Sequence, residues 1–538
     1  MKKFLSQIIN DLQILSRRGD FDPEIESLCF DSRQVEKNSL FFALPGTHTT
    51  GNKFISQGIE RGAVAIIFEG DLDFTPFEDV ISQGKTVFLQ VKSARKAMAP
   101  LSLAFFDFPA QEMTIYGVTG TEGKSSTVFF IWQLLRLAGK KAGFISTVEF
   151  SRGDDEEANP EHQTTPEATI VQAKLREMAD NGCSHAVVES SSHGLSRELN
   201  RLGGIDFHAA AFMNVTHEHL EFHGTFEKYR DDKCNLFRAL DSQGIAAVNL
   251  DDPSAEYFAE NTDATVVGFA TRLPKKVPGK IGKFLLIENL AENSFSPTST
   301  VVSCDVSVRS RLWTDKNAPE DPNLFGETGN FRLEIPFAGT FNAYNVVAAM
   351  ILISHREKIS FRDLSVLAKQ LRPVKGRMTE ISMGQKFSVI VDYAHTPSSF
   401  EQIFPSVRKR CSGKLIALFG SAGERDVQKR FTQGKIAADY SDVVILTDED
   451  PRGEDSMAIL DMIAQGCAQS ERAPKAGDNL FLIPNRVEAI EKAFSLAQAG
   501  DIVLLLGKGH ENSIIGKDGA LPYDEITAAK TALKKIVL

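Results

Sequence analysis

Residues 114–137 read TIYGVTGTEGKSSTVFFIWQLLRL. A short β-rich run over 114–118 passes into Thr119-Gly120-Thr121-Glu122-Gly123-Lys124-Ser125-Ser126-Thr127. An apolar helical pattern with Val128, Trp132, Leu135 and Leu137 follows, until Gly139 stops it. Strand, glycine-rich turn, Lys-Ser and helix form the context a phosphate-binding loop requires. Glycines let backbone N–H groups face phosphate oxygens, and the helix start adds roughly half a positive charge. In this reading Gly120, Thr121, Gly123 and Ser126 belong to the cradle, Lys124 reaches the β- and γ-phosphates, and the Ser125 hydroxyl ligates Mg²⁺. A strict G-x-x-x-x-G-K-[ST] needs glycine at position 118, where the chain has Val118, with Gly117 and Gly120 on either side. The competing reading is a turn that merely joins strand to helix, with Lys124 in solvent. Gly-Lys-Ser in this setting points instead to a nucleoside triphosphate site.

The rest of the chain bounds what surrounds that site. A length of 538 residues exceeds one hydrophobic core, so roughly two to four domains are expected. With 42% hydrophobic and 24% charged residues the composition is that of a globular protein. A formal charge of −11, with no Lys/Arg block to override it, argues against a nucleic-acid partner. No apolar run of about 18 residues is available for a membrane span. The first fifteen residues, MKKFLSQIINDLQIL, break their apolar run with Gln, Asn and Asp, which predicts an amphipathic helix and not a signal peptide. Cys29, Cys183, Cys234, Cys304, Cys411 and Cys467 are scattered without C-x-x-C spacing and are expected to be reduced thiols of a cytoplasmic protein.

In chain order, residues 1–110 form a first unit of mixed helix and strand. An apolar strand over 40–44 ends in Pro45-Gly46, a helix is expected over 93–106, and Ser32 and Arg33 could donate to a phosphate or uracil, or form a salt-bridged loop. Residues 111–371 read as an α/β unit whose apolar strands end in polar residues: 186–188 runs into Glu189-Ser190-Ser191-Ser192-His193, 209–213 into Asn214-Val215-Thr216-His217-Glu218-His219, and 245–248 into Asn249-Leu250-Asp251-Asp252. Functional side chains at the C-terminal ends of buried strands are what an open parallel sheet presents to a ligand. The less regular stretch over 270–335, with a polar loop over 314–330, is expected to be an appended β-rich lobe, and a helix follows over 346–353. From 372 to 538 a second open α/β sheet is expected, with strands over 387–391, 415–419, 443–446 and 502–506. Their ends carry Asp392-Tyr393-Ala394-His395-Thr396-Pro397, Gly420-Ser421-Ala422-Gly423-Glu424-Arg425-Asp426, Asp448-Glu449-Asp450-Pro451-Arg452 and Gly507-Lys508-Gly509-His510-Glu511.

Glu189, His193, His219 and His223 lie at or just after central strand ends and could converge near Ser125 to complete a second divalent-metal site; taken singly, each His reads as a satisfied polar residue. Lys233, in Tyr229-Arg230-Asp231-Asp232-Lys233, reads by itself as a surface helix lysine.

Six motifs in this order, over 119–127, 189–193, 214–224, 339–345, 392–397 and 507–511, resemble the Mur ligases along almost the whole chain. The resemblance implies three α/β domains: a UDP-sugar-binding domain (1–110), a central P-loop ATPase-like domain (111–371) and a C-terminal Rossmann-like domain that binds an amino acid (372–538). It implies ATP-dependent amide ligation through an acyl phosphate, with UDP-MurNAc-L-Ala-D-Glu as acceptor and a diamino acid as the amine, in peptidoglycan biosynthesis. It also implies Mg²⁺ at two sites, one held by Ser125 and one by Glu189, His219 and a carbamylated Lys233. Lys124 would neutralise the transferred phosphoryl group. Asn345 resembles the adenine contact, and Arg377 and Asp392 the nucleotide contacts of the third domain. Ser32, Thr164, Thr165 and Ser192 resemble contacts to the UDP-sugar dipeptide, while Arg425, Glu449, Asp450, Arg452, Gly507 and Glu511 resemble those to the added amino acid. The chain is expected to act as a monomer.

The chain also departs from the family pattern. Glu122 replaces a loop Asn and is expected to point away from the phosphates; Thr50 and Ser398 each replace an Asp. Leu199 stands where an arginine contacts substrate, leaving Arg201 or Arg197 to take its place. Enzymes that add meso-diaminopimelate usually read Asp-Asn-Pro-Arg where this chain has Glu449-Asp450-Pro451-Arg452. Asp450 would repel the distal carboxylate of diaminopimelate and attract the bare ammonium of L-lysine or L-ornithine, unless Arg452 bridges to it. Folylpolyglutamate- or cyanophycin-type ligases are the alternative within the superfamily, and the segment Asp31-Ser32-Arg33 favours a UDP-sugar over them. A nucleotide-switched binding protein is the non-enzymatic alternative, against which the joint presence of Lys124, Ser125, Glu189, His219 and Lys233 speaks.

Overall fold

The computed structural model describes residues 1–46, 50–160, 163–216, 218, 220–296, 299–310 and 330–537. Its strands form three large sheets in succession along the chain.

The first sheet has five strands in the order Ile14–Arg18, Val87–Val91, Ala63–Phe68, Ser39–Phe42 and Ser27–Cys29; only the first pairs antiparallel. Its two faces bury separate apolar clusters, one around Leu40, Phe42 and Leu89 and one around Phe41, Ile66 and Phe88. The amphipathic helix expected over the first fifteen residues shrinks to Leu5–Ile8. Lys3–Phe4 pairs with Glu24–Ile25, and Ile14–Arg18 takes the sheet edge, so strand pairing overrides the local helical pattern. The expected helix over 93–106 forms as Ala94–Phe105.

The second sheet has eleven strands, and its centre runs Ala142–Ile145, His185–Glu189, Thr114–Thr119, Phe207–Phe212, Leu240–Asn249 and Thr265–Ala270, all parallel. The helices Lys124–Leu137 and Asn342–Glu357 pack on one face, and Ala168–Asp180 and Phe226–Arg238 on the other. Lys124–Leu137 is buried nearly all round; Trp132 stacks on Phe129 and donates from Nε1 to the Ala142 carbonyl at 2.8 Å.

The appended lobe expected over 270–335 does not form. Lys283–Ser296 joins the central sheet parallel to Thr265–Ala270, then turns back antiparallel as Ser299–Ser310, with Asn330–Ile335 on the edge. The reason is alternation: Leu285, Ile287, Val302, Cys304 and Val306 point into the same apolar cluster as the parallel strands, so the interior face stays continuous. The polar loop expected over 314–330 lies, up to 329, outside the described residues.

The third sheet has the order Thr379–Ile381, Ser388–Asp392, Ile502–Leu506, Leu415–Phe419, Val443–Leu446 and Leu480–Leu482, parallel except for the first strand. All four strands expected there are present. The six cysteines are buried and unpaired. Among the described residues no helix is long and apolar enough to cross a membrane.

Candidate active site

Val118 belongs to the strand Thr114–Thr119 and is fully buried, which is why the strict glycine spacing is not met: the loop proper starts at Gly120. Gly123 has φ +82°, and a Cβ there would come within 2.8 Å of Asn345 Oδ1, so only glycine fits. Lys124 then opens its helix and folds back, Nζ donating to the Thr121 carbonyl at 2.7 Å. Ser125 Oγ donates to Glu189 Oε1 at 3.1 Å, and Thr147 holds the same carboxylate through its N–H at 2.8 Å and Oγ1 at 3.0 Å. Thr165 Oγ1 donates to the Glu189 carbonyl at 2.8 Å and accepts from the Ser191 N–H at 3.0 Å, joining the end of the Glu189 strand to the segment that carries Thr164.

Lys233 is not a surface lysine. It is 2% exposed, and Nζ donates to the Gly120 carbonyl at 2.6 Å while lying 4.5 Å from the centre of the Tyr229 ring. Burial pushes its ammonium well below the ordinary lysine value and the charge of Lys124 adds to this, while Glu218, Glu122 and Glu189 act the other way. Its helical neighbour Tyr229 meets Thr121 through the two hydroxyls at 3.1 Å.

Above the loop lies a cavity of about 530 Å³ between the second and third sheets. Residues 121–126, Thr164 and Glu189 line its floor, Tyr344 and Asn345 one wall, and Arg377, Asp392, Tyr393 and His395 the opposite wall. Thr127 Oγ1 lies 3.3 Å from Asn345 Oδ1, tying that wall to the loop. The Arg377 guanidinium sits 4.5 Å from the centre of the Tyr393 ring. Asp392 accepts from the Met378 and Ala394 N–H groups at 2.7 and 2.8 Å; burial pushes its carboxyl up, and Arg377 and these donors pull it down less. Glu122 lines the cavity, with its carboxylate accepting from Thr396 Oγ1 of the third domain at 3.1 Å.

The expected histidine convergence on Ser125 is only partly met. Glu189 reaches Ser125, but both ring nitrogens of His223 are engaged elsewhere, Nδ1 with Asp232 at 2.9 Å and Nε2 with Ser192 at 3.0 Å. His193 packs on Phe222 with ring centres 4.3 Å apart. His217 and His219 lie outside the described residues. Arg201 is buried, donating to the Thr165 carbonyl at 3.0 Å and to Glu167 at 2.9 Å, whereas Arg197 is exposed. Arg33 pairs with Asp31 at 2.7 Å, the salt-bridged alternative, and Ser32 donates to Gln57 at 2.6 Å within the first domain.

In the third domain Asp450 does not bridge to Arg452. Asp450 Oδ1 accepts from Lys508 Nζ at 2.8 Å and from the Ile515 N–H at 2.8 Å, and Lys508 also pairs with Glu511. Lys508 is fully buried. Gly507, at φ +100°, passes so close to Glu449 that a Cβ would lie 3.3 Å from Oε2. Glu449 is 6% exposed and its Oε2 has no partner among the described residues; the same holds for Arg452 Nε. Arg425 is exposed. Burial pushes the Glu511 carboxyl up against the pull of Lys508. Lys508 was legible as part of a strand-end motif together with Glu511, but its other partner, Asp450, comes from a distant segment and shows its role only when folded.

The chain is similar to known proteins along almost its whole length. Matches to the Mur ligase family catalytic domain, the Mur ligase middle domain and the Mur ligase glutamate ligase domain cover residues 24–106, 118–353 and 376–509. A UDP-N-acetylmuramyl-tripeptide synthetase of Treponema denticola is 47% identical, covering 99% of this chain and 98% of its own. The protein of the same name from Treponema pallidum is 44% identical over 95% and 94%. A solved UDP-N-acetylmuramoyl-L-alanyl-D-glutamate–2,6-diaminopimelate ligase superposes with a TM-score of 0.60 at 26% identity, covering 100% of both chains. With three successive domain matches and near full-length relatives, this chain belongs to the Mur ligase family.

Proposed function

We propose that this ATP-dependent, amide-forming ligase joins a diamino acid, L-lysine or L-ornithine, to UDP-MurNAc-L-Ala-D-Glu as the third residue of the peptidoglycan stem. ATP would phosphorylate the terminal carboxylate, the incoming amine would attack the acyl phosphate, and inorganic phosphate would leave. Phosphoryl transfer of this kind needs positioning and charge neutralisation more than covalent chemistry. Lys124 and the N-terminus of its helix supply fixed positive charge at the floor of the cavity. Ser125 Oγ and the Glu189 carboxylate, 3.1 Å apart beside that charge, are hard oxygen donors suited to Mg²⁺, one for each of the two ions the family implies. When bound, Mg²⁺ neutralises the phosphate oxygens; His219 is the further ligand implied by the family.

For Lys233 we propose carbamylation. Its buried amine, held below the ordinary lysine range beside the phosphate loop, is the nucleophilic form that adds CO₂, with loss of one proton, to give a carboxylate. Use of ATP and a UDP-sugar substrate favours the cytoplasm. The central and third domains of one chain line the cavity, which supports a monomer.

The observation that carries the choice of amino acid is Glu449. Asp450 and Glu511 pair with one buried ammonium, Lys508, and Glu449 lies close enough to Glu511 to push its carboxyl up. Glu449 Oε2 itself has no hydrogen-bond partner among the described residues. The repulsion assigned to Asp450 from sequence is therefore muted by Lys508, and the receptor for a bare ammonium moves one residue, to Glu449. A second reading has its own observation: the buried, unpartnered Nε of Arg452 suits the distal carboxylate of meso-diaminopimelate. Supplying each diamino acid singly with ATP and the UDP-dipeptide, and following phosphate release, tests both. Release that requires acceptor and amine together, with kcat/KM at least about tenfold higher for lysine or ornithine, supports the proposal. The reverse preference replaces it with the diaminopimelate reading, and release without either substrate overturns the ligase assignment.

A further inference from the structure

One turn of the helix Phe226–Arg238 touches two loops. Tyr229 and Lys233 reach the phosphate loop, while Asp232, on the same stretch of helix, reaches His223, whose ring also packs 5.0 Å from that of Tyr229. Asp232 Oδ2 lies 2.9 Å from His223 Nδ1, and His223 Nε2 lies 3.0 Å from Ser192 Oγ. All three side chains are buried, and Lys228 occupies the second oxygen of Asp232. Neither phosphate binding nor the metal site uses this chain of hydrogen bonds.

A carboxylate only accepts, so a proton of His223 sits on Nδ1 towards Asp232, and when that is the ring's only proton Nε2 is an acceptor. Ser192 has one hydrogen, and Nε2 takes it. What Ser192 keeps is lone-pair capacity, fixed in direction because the hydroxyl can no longer rotate. We propose that Asp232 and His223 are positioning residues that hold Ser192 as a hydrogen-bond acceptor for an N–H group of the peptidyl substrate, not as a donor to its carboxylate or pyrophosphate. This rests on the reading of Ser192 as a substrate contact. It also ties the substrate loop to the helix that carries Lys233, so acceptor and phosphate loop are registered by the same turn.

The full-length chain tests this through KM for the UDP-dipeptide and for ATP, with melting temperatures alongside. Asp232→Asn can turn its amide N–H towards Nδ1 and move the ring proton to Nε2, which makes Ser192 present a donor. KM for the UDP-dipeptide should then rise on the order of tenfold, with KM for ATP unchanged. Ser192→Ala should do the same, and the double variant should be no worse than either alone. His223→Gln, whose amide oxygen can take the place of Nε2, should retain more affinity than His223→Ala, which keeps the test open if Asp232→Asn folds poorly. Additive losses, equal rises in both KM values, or a silent Asp232→Asn beside an impaired Ser192→Ala would overturn the relay. A silent Ser192→Ala would overturn the relay and the substrate contact together, leaving the ligase assignment to its own phosphate-release test.

Discussion

Lys124 has only the Thr121 carbonyl as its hydrogen-bond partner among the described residues, so its charge is available to a phosphoryl group entering the cavity. Lys124→Ala should lower kcat/KM by a factor worth about 3 kcal/mol or more while leaving the fold intact, measured by phosphate release with both substrates present. Lys233→Ala should lose most activity and regain part of it with short carboxylates in the buffer, since these can stand where the carbamate would. A fully active alanine variant would show that the buried amine has only a structural role. Glu449→Gln keeps the volume and removes the charge. It should raise KM for the preferred diamino acid about tenfold with KM for ATP unchanged, read from steady-state kinetics.

At the scale of elements, the helix Asn342–Glu357 ends on an acidic residue, where the negative end of the helix dipole disfavours a carboxylate. Three groups from other segments compensate: His185 Nε2 at 3.0 Å, Lys140 Nζ at 2.7 Å and the Tyr116 hydroxyl at 3.1 Å. The His185 hydrogen bond is the largest of the influences that together take the Glu357 carboxyl from 4.5 down to about 2. A depressed carboxylate stabilises the fold above its unfolded value, and that contribution disappears as pH falls from about 4.5 to about 2. Glu357 is 8% exposed, so the effect is on the order of 2–4 kcal/mol. Acid unfolding of Glu357→Gln should lack this component, and an unchanged pH profile of melting temperature between pH 5 and 2, roughly the span in which the linked proton binds, would refute it.

At the scale of the molecule, the cavity exists only because the third domain closes over the second, and two contacts mark that closure. One is Thr396 on Glu122; the other is Arg410, which donates to Glu292 of the central hairpin and to Glu380 of the third sheet, each at 3.0 Å. All three charged side chains are at most 17% exposed. Arg410→Ala leaves two buried carboxylates facing each other, a loss of roughly 3–5 kcal/mol by analogy with other broken buried pairs. Calorimetry should show unfolding that splits or broadens relative to the unsubstituted chain as the domains uncouple, together with a higher KM for ATP. An unfolding profile identical to that of the unsubstituted chain would show that the hairpin does not brace the domains.

Much of this could be read in the chain alone. The loop over 119–127, the strands of the third domain and the polar residues at strand ends are local signals, set by glycine conformation, β-branched runs and periodicity within a few residues, so they survive without tertiary context. The Mur ligase motifs added their order. What folding decided involves partners far apart in sequence. The stretch over 283–310 became part of the central sheet because its inward face matched an existing core, and the first fifteen residues gave up helix for strand pairing. Lys233 turned inward because Gly120, 113 positions earlier, offered a carbonyl. Asp450 found Lys508, 58 positions on, where sequence reasoning had offered only its neighbour Arg452. Which partner a buried charge takes depends on the distances that remain after packing, and a linear spacing does not carry them.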